Sequence, residues 1–491
     1  MNIRLSILAL LAASVSVKAQ VAPPKPFGVL PSARQLQWHE KEMYVLVHFT
    51  PTTFENKEWG YGDADPSIFN PTRFDARQIV SAVRAGGFKG LILVAKHHDG
   101  FALWPTKTTT YNISRSPFRD GKGDMVKEFS DACRAGGLSF GVYCSPWDRN
   151  SPVYGTPEYV SIYREQLREL YTNYGPLFMS WHDGANGGDG YYGGARTSRK
   201  IDRSVYYGWD TTWAMTRSLQ PGAAIFSDIG WDVRWVGNER GEAAPTSWAT
   251  YTPQPLPGKT KAGPGEVRDE FNPMGTRNGA QWIPAECDVP LRKGWFYHPE
   301  EDNTVKSPDR LFDLYLKSVG RGGALDLGIA PDKRGLLHEA DVRSLAAFGD
   351  RLARIFSQDQ APGAKLTVTN TRGNDGRAFG ASKLTDGDRY SYWATDDAVT
   401  QATVELSWDG PRTFDLIRLR EDIRLGQRID SIAIDVHTGN EWVTAGTATS
   451  IGACRLVRFD RPATTDKLRI RIVSSPVCPA LSEIGVFDSN K

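Results

Sequence analysis

Asp183, Glu239 and Glu286 each follow an apolar or aromatic run in this 491-residue chain. Carboxylates so placed suit glycoside hydrolysis, in which one acid protonates the leaving oxygen and a second carboxylate acts as nucleophile or base. One acid at a strand end is commonly half of a salt bridge, whereas three at matching ends of different units point to a site. Asp183 leads the three. The run Phe178-Met179-Ser180-Trp181-His182-Asp183-Gly184 sets it beside an indole, and the glycines between Gly184 and Gly190 free the backbone behind it.

Imidazoles form a second set. His97-His98-Asp99 invites a metal reading. Neighbouring strand residues face opposite sides, so two adjacent histidines make a poor ligand pair, and none of the five cysteines has a CxxC spacing. Neither a metal in the site nor a required cofactor is expected. Hydroxyl recognition is expected of His48 and of one or both of His97 and His98, with rings from Trp59, Trp104 and Trp295. Taken singly, each could instead be an interior histidine bonded to backbone, or a core tryptophan. No GxSxG elbow supports a nucleophilic serine.

The elements that must position these groups follow one grammar. Met43 to Thr50, Gly90 to Ala95, Leu138 to Tyr143, Leu177 to Trp181 and Ala223 to Ser227 are apolar runs that read as strands buried on both faces. Helical periodicity separates them at Arg77 to Ala85, Asp124 to Ala135, a third segment carrying Val160, Tyr163, Leu167 and Leu170, and Trp209 to Leu219. Arg234 to Glu239, Gln281 to Glu286 and Ala324 to Ile329 read as later strands, with a helix at Asp309 to Val319. Helix, glycine stop, apolar strand and polar strand end repeat as parallel βα units do, so the expected fold is α/β, a (β/α)₈-like barrel over residues 21–357 with its site at the carboxyl ends of the strands. An open doubly wound sheet would share the alternation, but neither GxGxxG nor GxxxxGK[ST] occurs. The long Pro-, Gly- and Thr-rich stretch from Ala243 to Ala280 is either a mouth loop that covers substrate or a disordered surface loop.

After a helix at Glu339 to Phe356 and a linker-like Gln358 to Lys365, alternation of period two takes over at Thr403 to Trp408, Phe414 to Arg420, Ser431 to Val436, Leu456 to Phe459 and Leu468 to Val473. Residues 358–491 should form a small antiparallel β-sandwich. At the other end, Arg4, the apolar run Leu5 to Val15 and the small-residue site Val17-Lys18-Ala19 read as a signal peptide over residues 1–20, which implies an exported protein, periplasmic or secreted. No later run is long enough to span a bilayer. A net charge of +2 with no Lys/Arg block argues against nucleic acid as a partner, and the 15 Trp, 18 Tyr and 21 Phe lean toward carbohydrate. Five scattered cysteines do not make a disulfide framework; Cys454 with Cys478 is the one pair that could bridge. Nothing in the sequence fixes the oligomeric state.

Val47-His48-Phe49, Glu58-Trp59-Gly60, Lys96-His97-His98-Asp99-Gly100-Phe101, Trp181-His182-Asp183-Gly184, Arg234-Trp235-Val236-Gly237-Asn238-Glu239 and Leu325-Asp326-Leu327-Gly328-Ile329-Ala330-Pro331 together resemble glycoside hydrolase family 29, the α-L-fucosidases. The resemblance spans roughly residues 30–355 and implies a retaining exo-fucosidase acting on fucosylated glycans, with Asp183 as nucleophile. Gly237-Asn238-Glu239 is similar to the subfamily that removes α-1,3- and α-1,4-linked fucose, which makes Glu239 the acid/base; Glu286 matches the segment that supplies it in the other subfamily and is the alternative. The resemblance also assigns fucose binding to His48, Trp59, His97, His98, Tyr143, Arg234 and Trp295, and leaves His182 as a departure that could touch substrate. Leu384-Thr385-Asp386-Gly387-Asp388-Arg389-Tyr390-Ser391-Tyr392-Trp393 is similar to discoidin-like (coagulation factor 5/8 type C) sandwiches, which implies a sugar-binding or packing module with a structural calcium near Asp386. The competing expectation is a fucose-binding lectin or adhesin on an inert barrel.

Overall fold

The structure is a computed structural model, and it describes residues 21–184, 187–227, 232–260, 262–263 and 267–490. The expected signal segment, residues 1–20, and part of the Gly184 to Gly190 loop therefore lie outside the described residues.

Eight parallel strands close into a barrel in which each strand lies beside the next in sequence and the last beside the first. They are β1 Met43–Val47, β2 Gly90–Lys96, β3 Ser139–Cys144, β4 Met179–Trp181, β5 Ala224–Ser227, β6 Val233–Trp235, β7 Ala285–Pro290 and β8 Ala324–Ile329. Alternation divides their side chains between two cores. Tyr44, Leu46, Ile92, Val94, Tyr143, Met179, Trp181, Phe226 and Val233 fill the interior, while Val45, Val47, Leu91, Leu93, Val142, Ile225, Leu325 and Leu327 face the surrounding helices. Strands with apolar residues at both parities can satisfy both cores, which is why these segments read as continuous hydrophobic runs.

The helices are α1 Ala33–Lys41, α2 Ala76–Ala85, α3 Met125–Gly136, α4 Pro157–Asn173, α5 Trp209–Leu219, α6 Pro308–Lys317 and α7 Glu339–Phe356. Carboxylates at Asp75 and Asp124 cap α2 and α3 by accepting from Arg77 N and Lys127 N. Among the described residues no helix is long and apolar enough to cross a membrane.

One strand departs from expectation. Gln281-Trp282 is not the start of a barrel strand but pairs antiparallel with Thr250-Tyr251, and the barrel strand begins four residues later at Ala285. The Ala243 to Ala280 stretch stands where a βα unit would carry a helix; its Trp248 and Tyr251 are buried, and none of its described residues lines the cleft described below.

Beyond α7 the chain forms one antiparallel sheet of seven strands, two of them, Ala402–Glu421 and Arg455–Ser474, 20 residues long. Each long strand unites two runs that read separately in the sequence, because register shifts between Ser407 and Arg412 and between Phe414 and Leu416 interrupt the alternation without ending the strand. The discoidin-like stretch turns toward the barrel: Arg389 and Tyr390 reach Glu42 and Glu40 at the end of α1. Asp386 accepts from Ser391 Oγ at 2.6 Å and from Asp388 N at 3.0 Å. Among the described residues no group of three or more His, Cys, Asp or Glu is disposed to hold a metal ion. All five cysteines are buried and free, so Cys454 and Cys478 are not bridged.

Candidate active site

A cleft of about 280 Å³ opens at the carboxyl ends of the strands. Its walls carry His48, Glu58, Trp59, His97, His98, Tyr143, Asp183, Glu239, Asp288 and Trp295, over a floor that includes Leu46, Trp181, Phe226 and Trp235. The volume lies at the small end of ligand pockets, a match for one terminal sugar rather than a chain threading through.

Strand parity aims most of these groups. Met179 and Trp181 point inward, so Asp183 continues their face while His182 faces the helices. His182 is fully buried there, with Nδ1 2.7 Å from Tyr163 Oη and Nε2 3.0 Å from Ser180 Oγ, and does not reach the cleft. Trp104 is buried as well and donates to Glu169 at 2.8 Å, away from the cleft.

His97 and His98 both line the cleft, against the alternation expected of adjacent strand residues. The register of β2 on β3 shifts between Val94 and Lys96, which sends Lys96 outward. There its ammonium meets Asp148, Tyr159 and Gln166 at 3.1, 3.0 and 2.8 Å. The strand then ends in a turn closed by Gly100 N on His97 O, and the two rings lie 4.0 Å apart.

The tautomer of His98 follows from its neighbours. Ser145 Oγ donates to Trp147 O at 2.9 Å and so accepts from His98 Nδ1 at 2.7 Å, leaving Nε2 as a bare acceptor toward the cleft. Burial holds His98 down at about 4 against the pull of Asp183, holds His48 at about 3, and pushes His97 well below its ordinary value. Three neutral imidazoles therefore offer ring nitrogens to hydroxyls near neutral pH.

Tyr143 donates to Asp183 Oδ2 at 2.9 Å and stacks on Trp181, ring centres 4.9 Å apart. Glu239 stands on the turn after β6, held by Asn238, whose Nδ2 donates to Glu242 O at 3.0 Å and whose Oδ1 accepts from Arg240 N at 3.1 Å. Its pKa is raised, first by burial; a hydrogen bond from Trp295 opposes the rise, and the charges of Asp183 and Glu58 add to it. Trp295 can occupy its place because β8 carries Gly328, where a Cβ would come within 2.5 Å of the indole. Glu58 secures the same loop, accepting from Trp295 N and from Phe296 N, the latter at 3.3 Å, and from His298 Nε2 at 3.1 Å.

Two expected site residues lie elsewhere. Glu286, second in β7 rather than last in its strand, is sealed inside the barrel, where Tyr44 Oη donates to one oxygen and Trp181 Nε1 to the other at 2.7 Å. Arg234 faces outward from β6 and donates to the carbonyls of Asn272 and Trp248, both at 3.0 Å, and of Ile283. It fastens the 243–283 segment and does not touch the cleft. Conversely, Glu58, Arg203, Phe226, Trp235 and Asp288 line the cleft without having been singled out. Alternation indicates Trp235 from Val233 on β6, and Asp288 from Glu286 once β7 is placed at Ala285–Pro290; Arg203, which donates to Gly184 O at 2.8 Å from an irregular loop, has no periodic signal.

Comparison with known proteins agrees with this geometry. The family model described as Alpha-L-fucosidase matches residues 26–355. Alpha-L-fucosidase 1 of Arabidopsis thaliana is 37% identical over 98% of this chain and 92% of its own length. A putative alpha-L-fucosidase from Bacteroides thetaiotaomicron superposes with a TM-score of 0.85 at 36% identity, covering 95% of this chain and 99% of that one. A Ruminococcus gnavus fucosidase of glycoside hydrolase family 29, solved in complex with fucose, gives a TM-score of 0.83 at 28% identity over 96% and 97% of the two chains.

Proposed function

The chain belongs to the α-L-fucosidase family of glycoside hydrolases, and from that premise we propose that it removes terminal α-L-fucose from glycans with retention of configuration, through a fucosyl ester on Asp183. The observation that carries the proposal is the pairing, in one cleft, of Asp183 with Glu239, whose pKa burial and the charge of Asp183 raise.

Asp183 attacks the anomeric carbon while Glu239 protonates the departing oxygen. Once Asp183 is esterified its charge is gone, and one cause of the raised Glu239 pKa disappears with it. Glu239 is then the better base, and it takes a proton from the water that releases the sugar. Glu286 has no place in this cycle, since no cleft-facing surface remains to it. His48, His97, His98, Glu58 and Trp59 bind the fucosyl hydroxyls, and Trp295 orients Glu239. The Gly237-Asn238-Glu239 motif supports α-1,3- and α-1,4-linked fucose as the substrate class.

The test is turnover of an aryl α-L-fucoside and of linkage-defined fucosides, with the first-formed anomer read by NMR. Retention, and a loss of at least about 10³-fold in Asp183→Ala, are expected. Azide should restore Glu239→Ala and leave Glu286→Ala unchanged; an inert wild type, inversion, or rescue at position 286 overturns the assignment.

A further inference from the structure

The inside of the barrel is apolar on most strands, with Ile92 and Val94 on β2, Met179 and Trp181 on β4, Ala224 and Phe226 on β5, and Val233 on β6. On β7 and β8 the same inward positions are Glu286, Asp288 and Asp326, and Asp288 lies directly opposite Asp326 in the register. Among the described residues no Lys or Arg pairs with any of the three. Their hydrogen-bond donors are neutral: Tyr44 Oη and Trp181 Nε1 on Glu286, and Trp235 Nε1 on Asp288 Oδ1 at 2.8 Å. Asp326 has no neutral donor of its own and faces the Glu286 carboxyl, with which it shares a hydrogen bond. Three carboxyls stacked in a dry interior without a counter-charge cannot all ionise, because each charge would be both desolvated and repelled. Only Asp288 of the three also lines the cleft.

We propose that Asp288 presents a carboxylic O–H to the cleft and binds a ring hydroxyl of the fucosyl unit, as a further substrate-binding residue of the fucosidase site on whose reading this inference rests. Oδ1 already accepts from the Trp235 indole, so the proton belongs on Oδ2. A carboxylic O–H there adds a donor on the β7 side of the cleft to those of Arg203 and of the neutral imidazoles, of which His98 Nε2 is an acceptor. A sugar hydroxyl needs a donor for its oxygen as well as an acceptor for its proton. Burial above all holds Asp288 well above the ordinary carboxylate range, in keeping with the acid form.

The test compares Asp288→Asn with Asp288→Ala on an aryl α-L-fucoside and its monodeoxy analogues. In the asparagine variant the amide oxygen keeps the Trp235 bond and the NH₂ faces the cleft, so a donor is retained and kcat/KM should stay within about 3-fold of wild type. Alanine should lower it by roughly 10-fold or more. One monodeoxyfucoside should lose activity with wild type and show no further loss with Asp288→Ala, a coupling that mere loosening of the barrel would not produce. Trp235→Phe, which removes the indole N–H and keeps a ring, should weaken the same deoxy discrimination if alanine at 288 does not fold. Wild type active while Asp288→Ala matches it overturns the inference, as does Asp288→Asn falling as far as alanine, which would mean an ionised acceptor. An inert wild type would instead refute the fucosidase reading itself.

Discussion

Glu239 must hold a proton before bond cleavage and lose it afterwards, and the groups around it pull in opposite directions. Glu58 and Asp183 raise its pKa by their charge, while the Trp295 hydrogen bond lowers it. Two substitutions should therefore move the basic limb of the kcat/KM profile in opposite senses. Glu58→Gln removes a negative charge, makes the Glu239 proton easier to lose, and should shift the limb to lower pH. Trp295→Phe removes a donor that favours the carboxylate and should shift it to higher pH. Each shift should be at most about one pH unit, because Glu58 is partly solvated and its field is screened. Both variants will lose activity, so the readout is the limb's position and not its height. Movement of both limbs in one direction would remove Glu239 as the group that titrates.

The elements deliver these residues through two devices, one visible in sequence and one not. Period-two parity is visible: it separates Asp183 from His182 and Tyr143 from Cys144, and a run such as Met43–Val47 is unmistakable because both of its faces are buried. A bulge is not visible, since the register shift before Lys96 depends on how β2 lies on β3; it turns Lys96 to the helices, and the turn that follows lets two consecutive histidines share the cleft. Polar inward positions mislead in another way. β7 carries Glu286 and Asp288 at inward positions where most barrel strands carry apolar side chains, so the hydrophobic run that marks those strands is missing and periodicity places the strand four residues early. The cleft's outline is thus legible in the sequence, and the acidic inward positions of β7 and β8 are not. A glycine matters in the same geometric way. Gly328→Ala would set a methyl 2.5 Å from the Trp295 ring, which should cost about 1–3 kcal/mol of stability and displace the indole. Displacement should reproduce the upward shift of the basic limb seen with Trp295→Phe. Calorimetry and a pH–rate profile would check both, and a lowered Tm with an unmoved limb would show that Trp295 acts by bulk alone.

Across the whole molecule, the barrel and the sheet are not two bodies joined by a linker. Leu416, Cys454, Leu456 and Phe487 belong to the same buried cluster as Leu345, Phe348 and Ile355 of α7, and Phe356 meets Phe487 edge to face at 5.0 Å. The amino-terminal lead-in ties the sheet as well, with Phe27 N donating to Leu425 O and Arg372 to Ala22 O. Removal of residues 358–491 should therefore expose core and not release a soluble barrel, and the full chain should unfold in one transition. Glu42 is the charged centre of this junction. It takes φ of 60° at the end of α1, an uncommon conformation for a residue with a side chain, and Arg420 and Arg389 donate to its carboxylate at 2.7 and 3.4 Å. Burial alone would raise its pKa; the two arginines, with Lys89 adding at longer range, outweigh burial and bring it from its ordinary 4.5 to about 2. A carboxylate with a depressed folded pKa stabilises fully above the unfolded value and loses that contribution as pH falls through the folded one, here between about 4.5 and 2. The shift corresponds to about 3 kcal/mol. Glu42→Gln should be less stable than wild type by an amount of that order at pH 7, and the gap should narrow steadily below about pH 4.5, measured as denaturant midpoints across that range. A gap that stays constant down to about pH 2 would assign the loss to packing and leave the ion pairs without effect.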